Sequence, residues 1–169
     1  MNTMKLTPKL LLASAALFGT ALSSFAQSIK FEFSDVTEYS DFSYSGMSEE
    51  KSKAILVKSL EDRKEEFNQH LNEGASLVIK FVDIDMAGEI QPWRNTANSD
   101  IRYIEDIYIP RMTLSYTLSK DGEVISEGES KVSDMDYLFG ANKIRSNSET
   151  FYYEMELIED FIRDLNRKS

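Results

Sequence analysis

Residues 111–119, RMTLSYTLS, alternate without a break. Met112, Leu114, Tyr116 and Leu118 fall on one side, Arg111, Thr113, Ser115 and Thr117 on the other, which is the period of a half-buried strand. KDGE follows, and Asp121-Gly122 is the pair that a two-residue hairpin turn requires, because both turn positions need positive φ. The chain is thereby committed to an antiparallel pair with one buried face. The return strand, about residues 124–132, is polar and carries Gly128, so it belongs at a sheet edge or carries a bulge there.

The other elements must cover that buried face. Residues 76–85, SLVIKFVDID, are apolar on both alternating sides except at Lys80, as in a central strand, and 29–33, IKFEF, alternate. Between them Leu56, Leu60, Phe67 and Leu71 lie on one side of a helix running from about 49 to 72, with Ser48 as its N-cap and Gly74 closing its end. A last helix carries the stripe Phe151, Met155, Ile158, Ile162 and Leu165, and Ser146 and Glu149 have capping-box spacing before it. The order strand-helix-strand-strand-strand-helix predicts an α+β fold: an antiparallel or mixed sheet of about four strands with two helices packed on one face. Residues 95–109 fit a helical turn and a strand equally well.

The chain start has a different character. Residues 1–9 carry Lys5 and Lys9 and no acid, 10–22 are apolar, and Ser24 and Ala26 are small. That pattern is a secretory signal peptide, 1–26, cleaved after Ala26, and its apolar run is short for a membrane span. Removing 26 of 169 residues leaves 143, residues 27–169, as a single domain able to bury roughly two thirds of its unfolded surface. There is no cysteine, so disulfides, thiolate chemistry and a lipid attachment point are all excluded. The expected location is the periplasm, with no membrane anchor. The chain has 19 basic and 29 acidic residues, a net −10, and losing Lys5 and Lys9 moves this to −12. A nucleic-acid partner is not expected at that charge.

Residues 83–94, DIDMAGEIQPWR, are the richest stretch in site chemistry. Asp83, Asp85 and Gly88 match the first half of a calcium-loop pattern, but Ala87 and Arg94 stand where oxygen ligands are required. As strand residues two apart, Asp83 and Asp85 share a side with Leu77, Ile79 and Phe81, which would set them at the rim of the core and in need of Arg94 or Arg111 as partners. A weak oxygen-ligand metal site of Asp83, Asp85 and Glu89 is the alternative. Trp93, the only tryptophan, and Arg94 suit either packing on the sheet edge or partner recognition. In SDMDYL, 133–138, Asp134 and Asp136 have the chemistry of turn caps beside Tyr137. His70 is the only histidine and has no nucleophile elbow to serve, and Tyr39, Phe42 and Tyr44 either line a groove or pin a loop to the core.

DIDMAGEIQPWR, IPRMTLSYTLSKDGEVISEGE and SDMDYL together resemble the exported bacterial family of domain of unknown function 3016, strongly over about residues 75–138. The resemblance implies a bacterial envelope protein and carries no activity with it. The expectation is a non-catalytic binding or accessory module for an envelope protein or ligand, with no catalytic residue, cofactor or resident metal. Asp83, Asp85, Glu89 and Asp134 are its candidate polar contacts, and Trp93, Arg94, Arg111 and Tyr137 its candidate anchors. The other function class is a metal-dependent, hydrolase-like enzyme built on the clustered carboxylates, and convergence of those carboxylates on an open pocket would distinguish it.

Overall fold

A computed structural model describes residues 27–94, 100–139 and 150–168. The expected signal peptide, residues 95–99 and the expected capping box at Ser146 and Glu149 lie outside the described residues. The strands are β1 (Ser28–Phe33), β2 (Ala75–Asp85), β3 (Glu89–Ile90), β4 (Arg102–Tyr103), β5 (Arg111–Lys120) and β6 (Glu123–Ser133). The helices are α1 (Glu49–Asp62), α2 (Lys64–Gln69) and α3 (Tyr152–Lys168). Four strands form the main sheet in the order β1-β2-β5-β6, while β3 and β4 pair in a small ribbon beside it. β1 runs parallel to β2, as the helical crossover between them requires, and the other main pairs are antiparallel, so the sheet is mixed.

The alternation in β5 survives intact: Met112, Leu114 and Leu118 are buried, and Tyr116 packs edge-on to Phe161 of α3. Phe31, Phe33 and Phe81 stack on the same inner face, where Phe31 also meets Phe67 of α2. Leu56, Leu60 and Phe67 from the first helices and Met155, Ile158 and Ile162 from α3 complete one core cluster. The opposite sheet face carries Lys80, Ser115, Thr117 and Glu129 and remains partly or fully in solvent. Helices on one face and polar side chains on the other give the expected α+β arrangement.

One local expectation needs correcting. The helix expected over 49–72 is broken at Arg63 (φ −101°, ψ 4°), whose guanidinium bonds Glu66 at 2.9 Å and Glu159 of α3 at 2.7 Å. The His70 ring nitrogen lies 3.1 Å from the same Glu159, so the break brings a guanidinium and an imidazole to one carboxylate while both halves keep their apolar side inward. Asp121 and Gly122 both take positive φ (52° and 87°), as the hairpin turn demands, and β6 is an edge strand. The sheet-edge alternative therefore holds for the polar return strand, whose one register shift leaves Ile125 as the extra residue.

Candidate functional site

The aspartate corner is shaped by a β-bulge. Phe81 pairs with Leu114 and Asp83 with Thr113, so Val82 is an extra residue and the alternation of β2 inverts beyond it. Ile84 therefore takes the buried side, fully covered, and Asp83 and Asp85 turn to the outer side. This overturns the expectation that both aspartates share the face of Leu77, Ile79 and Phe81, because a strict period of two holds only without an inserted residue. Asp83 accepts hydrogen bonds from the backbone N–H of Ser40 (2.7 Å) and its hydroxyl (2.8 Å), not from an arginine. Asp85 pairs with Arg111 at 2.9 Å across the strand register, in an exposed bridge. Asp83→Ala is thus expected to cost about 1 kcal/mol and Asp85→Ala less than about 1 kcal/mol. Urea melts of the two variants check this, and a loss of several kcal/mol from either would restore a buried-pair reading.

Beyond the bulge, the loop after β1 replaces it as neighbour of β2. Asp41 N–H bonds the Ile84 carbonyl and Met86 N–H bonds the Asp41 carbonyl, while the Tyr39 hydroxyl donates to the Phe81 carbonyl at 2.8 Å. Burial pushes the Tyr39 hydroxyl up to about 12, so it stays a donor. Tyr39 and Phe42 are buried and Tyr44 packs on Phe151, which pins the aromatic loop to the core rather than lining a groove.

The turn then crosses a buried polar node. Gly88 sits at φ +78°, and a Cβ there would lie 2.5 Å from the Tyr103 carbonyl oxygen, so only glycine fits. Arg102, on β4, grips Asp41 through both terminal nitrogens at 2.8 Å and donates to the carbonyls of Gly88 (2.9 Å) and Ser43 (3.0 Å). Beside it Glu154 of α3, 3 % exposed, accepts from Ala87 N–H at 2.9 Å. Desolvation raises its pKa above the usual carboxylate value, partly opposed by the Ala87 N–H and by Arg102, so the protonated form is favoured more than in a carboxyl group in water. Neither residue was singled out by sequence reasoning. Arg102 lies in the segment with ambiguous periodicity, but Glu154 had a signal: it stands three residues after Phe151 and four before Ile158, on the apolar stripe.

Glu105 is the meeting point of three turns. Arg94 bonds its carboxylate at 2.6 Å with the guanidinium stacked 4.7 Å from the Tyr103 ring centroid, and buried Gln91 reaches the same carboxylate at 3.4 Å. Tyr137, 1 % exposed, donates its hydroxyl to the Glu105 carbonyl at 2.6 Å and meets Tyr153 edge-on. Burial moves that hydroxyl up to about 12. Asp134 caps its own turn through Asp136 N–H at 2.9 Å. On these same turns Trp93 (72 %), Ile107 (70 %), Met135 (73 %) and Phe139 (65 %) point into solvent.

Of the sequence candidates, Trp93, Arg94 and Tyr137 are brought together around Glu105, with Asp134 at the start of the same turn. Asp83, Asp85 and Arg111 stand apart on the outer sheet face, and Glu89 lies in β3 opposite Tyr103. Among the described residues there is no group of three or more acidic or histidine side chains placed to hold a metal ion.

None of the curated proteins and none of the solved structures compared with the chain matches it. A family model does, over residues 27–164, and its span takes in the bulged aspartate corner, the Arg102 node and the Glu105 turns. The chain belongs to the family described as protein of unknown function (DUF3016).

Proposed function

We propose that the chain is an exported, non-catalytic binding or accessory module of the cell envelope, which docks a partner through the turns gathered at Glu105. The observation that carries this reading is the exposure of Trp93, Ile107, Met135 and Phe139 on turns that are themselves held rigidly by Arg94, Gln91 and Tyr137. Fixed turns with exposed aromatic and apolar side chains lose little entropy on binding, and large exposed apolar groups mark interaction sites. The enzyme alternative loses support because its carboxylates do not converge: Asp83 is satisfied by Ser40, Asp85 by Arg111 and Asp134 by a backbone N–H.

Export is supported by the pattern of residues 1–26 and by a family match that begins at Gln27. Mass spectrometry of the native protein is expected to give a chain starting at Gln27, and a retained Met1 would overturn the leader assignment.

Site-specific photocrosslinking in the exporting cell tests the docking surface. Probes at 93, 107 and 139 are expected to give a common discrete adduct that a probe at Thr117, on the outer sheet face, does not give. Trp93→Ala should weaken the captured complex by about 2 kcal/mol, the scale of an interface anchor, with an unchanged urea midpoint. Equal adducts from all four probes would sink the assignment.

A further inference from the structure

A second surface lies between β6 and α3 and meets those turns only at Asp134. α3 stands over β5, where Phe161 meets Tyr116, and it leaves the inner side of β6 open. The inward positions of β6 there are Ser126, Gly128 and Ser130, opposite Leu118, Tyr116 and Leu114, and they are too small to fill the space beneath the helix. The result is an open groove of about 700 Å³ with β6 as one wall and α3 as the other. Its floor is apolar, made by Tyr116, Val132, Leu157, Phe161 and Leu165. Grooves of this size with an apolar floor take small ligands or short peptide segments.

The rim has one sign. Asp134 stands directly after β6 and Asp160 and Asp164 rise from the helix side, while Glu129 and Lys131 border the groove on β6 but belong, opposite Ser115 and Thr113, to the outward register. Asp160 and Asp164 are paired with Arg163 and Arg167, but those are exposed contacts between residues three apart on one helix, and such pairs are weak and yield readily to another cation. β6 is moreover an edge strand: among the described residues only β5 pairs with it. Its outer backbone groups are open to an extended chain lying along the groove mouth.

We propose that the groove between β6 and α3 receives a short peptide segment of a partner protein in which apolar side chains alternate with lysine or arginine. The apolar side chains reach the Phe161 floor, and the cations lie against Asp160 and Asp164 on the helix and Asp134 at the end of the strand. An anionic or purely apolar segment would meet the acidic rim without compensation, and a purely cationic one would leave the floor unused.

The test uses the mature chain and a fluorescent, end-blocked octapeptide of alternating leucine and lysine, followed by anisotropy. Saturable binding is expected that weakens with added salt. Ser130→Phe, which fills the groove with a side chain suited to a strand, should weaken it at least tenfold, and so should Asp160→Asn combined with Asp164→Asn. If Ser130→Phe does not fold, the helix-surface double variant decides alone. Octalysine and alternating leucine-glutamate peptides should bind at least tenfold more weakly than the probe. Unchanged affinity in the variants, or equal binding of octalysine, would overturn the proposal. So would a concentration-dependent dimer in sedimentation that the same variants abolish, because the occupant would then be a second copy. Since the photocrosslinking probes at 93, 107 and 139 line no part of this groove, either surface can fail without the other.

Discussion

Arg102→Met is expected to lower the free energy of unfolding by about 3–5 kcal/mol, the scale for removing one partner of a buried ion pair. Its side chain is only 9 % exposed, and the guanidinium makes four hydrogen bonds, two to Asp41 and one each to the Gly88 and Ser43 carbonyls. Methionine fills much of the same volume, so the loss reports on stranded acceptors rather than on a cavity. Three segments would come loose together: the loop before α1, the glycine corner and β4. Urea denaturation measures the loss, and the double variant with Asp41→Asn should cost less than the sum of the single changes, because each single change strands the other's group. A loss below about 1 kcal/mol would mean the node is not what holds the corner.

That node also shows where sequence reasoning reaches and where it stops. β5 and the hairpin were legible because alternation and Asp121-Gly122 are local signals, each imposed by the φ/ψ and face preference of its own residues. The stripe on α3 was legible for the same reason: Phe151, Met155, Ile158, Ile162 and Leu165 are all buried, although Leu157 and Phe161, which lie off the expected stripe, are buried with them. The bulge at Val82 was not. An inserted residue is defined by the partner strand, and nothing in SLVIKFVDID marks which residue β5 will skip. The misplacement of Asp83 and Asp85 followed from that one residue. Trp93, Arg94 and Tyr137 were recognised as chemistry-bearing residues, but their convergence depends on Glu105, in a segment whose own periodicity was ambiguous. The break at Arg63 likewise depends on Glu159, 96 residues on.

Glu154 was legible in principle, as an acid on an apolar stripe, and it carries the second large effect. Glu154→Ala is expected to cost about 2–4 kcal/mol, by leaving a void among core side chains and stranding the buried Ala87 N–H. Glu154→Gln keeps an acceptor for that N–H and the side-chain volume, and so separates the carboxyl's ionisation from its packing. Because burial raises the folded-state pKa above its ordinary value of 4.5, the folded chain retains a proton that the unfolded chain releases. The sign follows: this contribution to stability is fully present below pH 4.5, falls as pH rises toward the folded-state pKa, and levels off above it. Exposed carboxylates such as Asp35, held below their usual value by Thr37, act in the opposite direction and are common to both proteins. Subtracting the wild-type stability from that of Glu154→Gln at each pH therefore isolates residue 154. The difference should grow in favour of glutamine as pH rises from 4.5. A difference that stays flat with pH would mean that Glu154 ionises in the folded state as easily as in water, and that Arg102 rather than a proton neutralises it.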